Sequence, residues 1–447
     1  MLEQKQAQTL CEGILQRCGS NPAEMLLSME DKALTRFANN AIHQNVSENN
    51  LNLLVRLFNG TRSGTATTNR MDADALDEVV ERARANAQAG PENPDFPGLA
   101  GPATYQQVSS FDRETAGLSP KKRAEAVSAV CRLAKEKGLN ASGAFSTGSG
   151  AIAIANTEGV FAYHDSTSAD FQTVVMGADS SGRAQASGWQ ASEIPVEALG
   201  REALRKAEQG ASPQAVQPGE YTVIFDPYVT EDLLSMLNMH GMGAQAVLDG
   251  RSWMNDRFGQ QAMSPLVSIW DDGLDPSGMP LPFDYEGVPK QRVEIVAEGT
   301  VKGPVYDRYT AKKAGVESTG HALPPTMRTF GPVALNLFMA PGEASLEEMI
   351  ASTDRGLYVT RFWYTRLVHP RDCIVTGMTR DGVFLIENGQ VTQPVKNLRF
   401  TQSYVQALAN VEMVGGETRL LSSEYIGMAT LVPALKISKF SFTGVTV

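Results

Sequence analysis

The sequence predicts an α+β protein. Two N-terminal subdomains of helix-backed sheet are followed by a mainly antiparallel β domain carrying one core helix. Three observations carry this. In the first 210 residues, apolar spacing switches between the helical period and strand-like runs more than once. Asn59-Gly60 and the 156–159 segment, ending in Gly159, punctuate apolar runs as hairpin turns do. From Tyr221 onward, short apolar runs with turn residues between them dominate, and only 231–248 keeps a long helical pattern.

The elements follow in order. Ala7, Leu10, Cys11, Ile14 and Leu15 mark a first helix, stopped at Gly19. Residues 24–28 and 53–58 read as strands, with 34–52 mixed between them, and 61–68 returns after Asn59-Gly60. Asp72 caps a helix whose apolar face holds Leu76, Val79, Val80 and Ala83. The stretch 88–105 is rich in Gly and Pro and reads as a linker or wrap. A helix at 121–137, a hairpin of 143–155 with 160–168, and a helix at 194–210 come next. Two prolines in 211–219 mark the last boundary. The predicted domains are 1–105, 106–218 and 219–447, with helix 231–248 in the third. Turns at Glu298-Gly299 and Asn388-Gly389, and the alternating run 435–442, support the β assignment there.

The chain has 447 residues, 42% hydrophobic and 20% charged, enough for two or three domains with true cores. Its net charge of -11 argues against nucleic acid or an anionic membrane as partner. The N-terminal segment is mixed and amphipathic, unlike a signal peptide. No apolar run is long enough to span a bilayer. A cytoplasmic location is expected. The four cysteines, with no Cys-x-x-Cys, read as buried reduced thiols.

Several short segments, in order, resemble the TldD/PmbA family of peptidases. They are 54–69 (a hairpin), Ile154-Ala155-Asn156-Thr157-Glu158-Gly159, Phe283-Asp284-Tyr285-Glu286-Gly287-Val288, Glu298-Gly299-Thr300-Val301, Ser318-Thr319-Gly320-His321 and Leu385-Ile386-Glu387-Asn388-Gly389. Active members of that family carry His-Glu-x-x-x-His on the helix after the 221–225 strand. Here the segment reads Ser235-Met236-Leu237-Asn238-Met239-His240. A hydroxyl and a thioether stand where the family has an imidazole and a carboxylate, and neither replaces them on zinc or as general base. The family's late zinc-binding Cys has no counterpart in 416–421. The resemblance is therefore to the PmbA (TldE) branch, which lacks the motif and pairs with TldD.

That resemblance implies a non-catalytic subunit that completes a chamber and holds unfolded peptide. It implies no cofactor in this chain, and zinc in a TldD-type partner. The partner is that zinc subunit or, alternatively, a second copy. Two other readings stay open: an active peptidase with a non-standard metal or carboxylate site, and a homodimeric peptide-binding protein.

The residues themselves give less. The five histidines are scattered, so no metal-ligand pair is visible. His240, on an apolar helix, reads either as a packing residue or as a contact to substrate or partner. Gly241, Gly243 and Ala244 read as helix packing, and the Gly-x-Gly-x-x-Ala matches at 148 and 241 lack the strand–turn–helix context of a nucleotide site. Phe362-Trp363-Tyr364 is the densest aromatic cluster, either a β wall or the wall of a peptide cleft. The expected cleft comprises His240, His321, Phe362, Trp363 and Tyr364. On an ideal helix, positions 235 and 240 point about 140° apart. They share a face only if the helix widens as in a π-bulge, and nothing in the sequence requires that.

Overall fold

The structure, a computed structural model, describes residues 2–422 and 428–445. The N-terminal half is built on one antiparallel six-stranded sheet. Its strands are β1 (Ala23–Ala38), β2 (Ala41–Asn59), β3 (Arg62–Thr68), β4 (Asn140–Asn156), β5 (Phe161–Met176) and β6 (Ser181–Gly188), in the order β3-β2-β1-β4-β5-β6. The strands run longer than the sequence suggests. The mixed stretch 34–52 is a hairpin turning at Asn39 and Asn40, which take φ of 51° and 60°. Its strands are polar because one face there is open to solvent, so apolar alternation is absent. β1 pairs with β4 from Glu24↔Asn156 to Phe37↔Gly143, so the two N-terminal subdomains share a sheet.

Helices cover one face of it. Helix α1 (Gln4–Arg17) and helix α2 (Ala73–Ala89, capped by Asp72) bury Ala7, Cys11, Val79 and Ala83 against Met25, Leu27 and Val55. Past the short helix α3 (Arg113–Ala116), helices α4 (Pro120–Glu136) and α5 (Val196–Gln209) bury Val127, Leu199 and Ala203 against Phe37, Phe145 and Phe171. All four cysteines are buried and free. The Gly/Pro stretch wraps the sheet's end. Phe96 stacks on Phe58 at 4.3 Å, and Tyr105 packs edge-on against Phe283 of the C-terminal domain at 5.4 Å.

The C-terminal domain is a larger, mainly antiparallel sheet with two parallel joints. Strand Gly219–Phe225 runs parallel to Arg355–Val359, and Asn336–Met339 runs parallel to Ala429–Val445. Short helices, including Arg308–Ala314, Leu346–Ala351 and Tyr404–Ala409, pack at its edges. The predicted helix 231–248 is not continuous. It starts at Pro227, runs as an α-helix to Leu237, becomes a π-turn over Asn238–Met242, breaks at Gly243 and resumes at Ala244–Leu248. Gly243 is extended (φ -88°, ψ 141°), because the chain there bridges to Val305 instead of continuing the helix.

A buried ionic junction ties the halves together. Lys206 of α5 donates to Glu202 at 2.7 Å and to Asp226 at 2.9 Å. Asp226 also accepts from Tyr358, and Glu202 from Arg419 at 2.8 Å. A group removed from water this completely is tolerable only when paired.

Candidate functional site

The π-turn is the local feature that builds the site. Widening to an i→i+5 pattern puts residues five apart one above the other. Ser235, Met236, Met239 and His240 consequently all line one cavity of about 620 Å³. Nothing within the helix sequence calls for the bulge, and its causes lie outside the helix. Carbonyls freed by the widening are caught by Trp253, whose indole N–H donates to Leu237 O at 2.9 Å, and by Ser252, whose hydroxyl donates to Gly241 O at 2.5 Å. Asn238 is clamped by its own amide, which donates to Ala334 O at 2.7 Å. Gly241 leaves no space for a Cβ, which would lie 2.1 Å from the Trp253 ring. A Cβ on Gly243 would lie 2.1 Å from Pro332 O.

The opposite wall is strand Phe362–His369. A bulge between Trp363 and Arg366 breaks the alternation of faces. Phe362 turns inward among Phe225, Phe400 and Phe440, with ring centroids 5.3, 4.2 and 5.6 Å away. Trp363 and Tyr364 both turn outward, 42% and 63% exposed. Arg361 and Arg380 lie over Trp363, and Arg366 over Tyr364. Tyr364 holds φ of 56°, a left-handed conformation uncommon for an aromatic residue. The aromatic cluster therefore divides: one ring is core and two are surface.

Three expected cleft residues besides His240 meet here: Phe362, Trp363 and Tyr364. His321 does not. It is 1% exposed and sits in a separate buried cluster, with Nε2 at 2.7 Å from Asp271 and Nδ1 at 2.9 Å from Thr319. Burial and the nearby Lys290 charge keep its ring below the ordinary pKa. Burial would raise the Asp271 carboxyl, but Lys290 and His321 hold it below its usual range. The Phe283–Val288 and Ser318–His321 segments close on each other at this cluster. Asp284 accepts from the amides of Glu286, Val288 and Ala322, each at 2.9 Å.

His240 is half-buried, and no described residue hydrogen-bonds its ring. Desolvation, then the Arg251 charge, lowers its pKa, so it is neutral near pH 7. Asp232, one turn before Ser235, belongs to no motif and goes unmarked in the sequence. It lines the same cavity and accepts from Tyr404 at 2.7 Å and Thr365 at 2.9 Å. Burial raises its carboxyl to about 6 against those hydrogen bonds. An acid in an otherwise apolar helix was the signal available. Leu421 and Ser422, at the end of strand Val411–Ser422, complete the wall.

At the positions of the family motif the donors are one imidazole, a hydroxyl and a thioether, short of the three N, O⁻ or S⁻ ligands that zinc takes. Among the described residues, no three His, Cys, Asp or Glu side chains converge as a metal site.

Models of the PmbA/TldA metallopeptidase family match almost the whole chain: domain 1 at residues 23–87, the central domain at 113–210 and the C-terminal domain at 218–444. The chain is 24% identical to a metalloprotease TldD homolog of Haemophilus influenzae, covering 87% of this chain and 86% of that one. It is 26% identical to the metalloprotease PmbA of Escherichia coli O157:H7, over 54% of this chain and 50% of the other. Its fold matches TldE from Thermococcus kodakarensis with a TM-score of 0.89 at 19% identity, covering 98% and 100% of the two chains. A proposed modulator of a DNA gyrase from Thermotoga maritima matches with a TM-score of 0.85 at 20% identity, over the same shares of each chain. With all three of its domains matched in order, the chain belongs to the TldD/PmbA metallopeptidase family.

Proposed function

We propose that this chain is the non-catalytic, TldE-like half of a two-subunit metallopeptidase. It holds unfolded peptide against a zinc-bearing TldD-type partner in the cytoplasm. The observation that carries this is the wall at 235–240. The π-turn brings the positions of the family motif to one cavity, and the side chains there are Ser235, Met236 and His240. The scaffold of a metal site is kept while its donors are gone, so no bound ion can activate water at these residues. Peptide would lie along strand Phe362–His369, which pairs on one side with Ile374–Thr379 and with no other described strand. A free edge gives main-chain hydrogen bonds to any sequence. By itself the chain is expected to dimerise through its C-terminal β domain, where an unpaired edge would otherwise invite aggregation.

Metal analysis of the chelator-washed chain, and native mass measurement with and without a TldD-type protein, test the proposal. Near-equimolar tight zinc would overturn it, as would failure to form a mixed complex. Asp232 favours a rival reading as a carboxylate hydrolase, because it is a partly buried acid in the cleft with a raised pKa. Peptide cleavage by the metal-free chain, abolished by Asp232→Asn, would support that rival.

A graft checks the site directly. Because the π-turn already aligns 235 and 240, Ser235→His with Met236→Glu should take up zinc weakly. Adding Ser422→Cys, which supplies a third protein ligand, should tighten it. Chelator-sensitive cleavage by the double variant alone would show that a third ligand is already in place.

A further inference from the structure

We infer that the cavity between Ser235–Met236–His240 and Phe362–Tyr364 is a side-chain pocket that takes one large apolar or aromatic residue of an extended peptide. This rests on the peptide-holding reading above and names what is recognised.

The walls set the chemistry. Met236, Met239, Leu367 and Leu421 supply apolar surface on both sides. Thioether chains are unbranched and polarizable, and they mould to differently shaped guests. About 620 Å³ accommodates the bulkiest side chain together with part of its backbone. A ligand pocket is typically apolar with a few convergent polar groups. Here those groups are the Ser235 hydroxyl and the His240 ring, neither of which is spent on a hydrogen bond to a described residue, and both are placed to meet peptide amides.

The charged groups of the lining are largely engaged within the protein and leave little for a charged guest. Arg361 pairs with Asp381, Arg366 lies over the Tyr364 ring, and the oxygens of Asp232 accept from Tyr404 and Thr365. At the mouth, Trp363 and Tyr364 stand exposed, and Tyr364 is held in its left-handed conformation. Strain of this kind persists where the surrounding structure imposes it, and such sites are often functional.

The test uses the purified full chain and fluorescein-labelled unstructured peptides of about ten Gly, Ser and Ala residues with one central guest, read by anisotropy. The guests are Phe, Leu, Ala, Glu and Lys. Phe and Leu peptides should bind about tenfold or more tighter than the Ala peptide, the discrimination an apolar pocket provides. Glu and Lys peptides should bind no better than Ala. Met236→Glu should shrink the Phe-to-Ala ratio to under about threefold, and Met236→Leu should keep it. Equal affinity across guests, with binding retained, overturns the pocket and leaves peptide holding intact. Absence of binding by every peptide overturns both. The guest series on the unaltered chain decides the matter even if Met236→Glu does not fold.

Discussion

The cleft at 235–240 and the cluster around His321 lie in one domain, and both are assembled from motif segments. They spend their polar groups in opposite ways. Around His321, both ring nitrogens are engaged, Asp271 accepts from His321 and from the Asn336 amide at 2.7 Å, and Asp284 accepts three amides. In the cleft, Ser235 and His240 face open space and Trp363 and Tyr364 face solvent. Both regions supply a histidine in a recognisable motif, but only one histidine is available to a ligand. A motif marks a position, whereas burial and partners decide whether its atoms are free to act. The difference also orders what substitutions should do: large stability effects at the cluster, and small stability effects with binding effects at the cleft.

The strongest break of this contrast is Asp271→Ala. It leaves His321 without its partner and Lys290, buried 3.9 Å away, without its nearest carboxylate. Removing one member of a buried charged set costs about 3–5 kcal/mol. Urea unfolding should show a loss of that size, and a change under about 1 kcal/mol would mean that the cluster is not the structural half of the contrast.

Asp232 tests the border between the two behaviours, being partly buried and on the cleft. Its folded carboxyl is raised from 3.8 to about 6. The native state therefore binds that proton more tightly than the unfolded chain does. Its contribution to stability is fully present below about pH 4 and falls as pH rises through 6. The size is on the order of 3 kcal/mol. Asp232→Asn should flatten that part of the stability–pH curve. A wild-type curve that rises between pH 4 and 6 by the amount the variant lacks would give the opposite sign and refute the assignment.

The smallest stability effect is expected at Tyr364→Gly. Relief of the left-handed backbone and greater freedom of the unfolded chain oppose each other, so stability should stay within about 1 kcal/mol. Peptide affinity should nevertheless fall. Unchanged affinity would remove the rim from the binding surface.

Much of the fold was legible. Apolar periodicity located the covering helices because each buries one stripe, as Leu76, Val79, Val80 and Ala83 do against the sheet. Asn59-Gly60 located the β2–β3 turn because Gly60 takes φ of 61°. The Asn39–Asn40 hairpin was missed because its strands face water and carry no alternation. Strand β6 was missed because its residues are small and its burial comes from α5 packed over it. The N-terminal sheet's unity was invisible, since β1 and β4 are more than a hundred residues apart.

For the site, the sequence determined which donors are present. Ser235, Met236 and His240 are fixed by covalent identity, and the poverty of that set for zinc follows from ligand chemistry alone. It also determined that Phe362, Trp363 and Tyr364 share one β segment. Only the tertiary structure decided where those groups point. The π-turn is held from other segments: Trp253 and Ser252 donate to its Leu237 and Gly241 carbonyls, and the Ala334 backbone bonds the Asn238 side-chain amide. The bulge at Trp363–Arg366 turns two rings outward and leaves one in the core. His321 was drawn away to Asp271 because a buried carboxylate needs a partner more than an open cleft needs an imidazole. Local sequence sets what a residue can do; contacts from distant segments set the backbone geometry and solvent exposure, and so whether it is placed to do it.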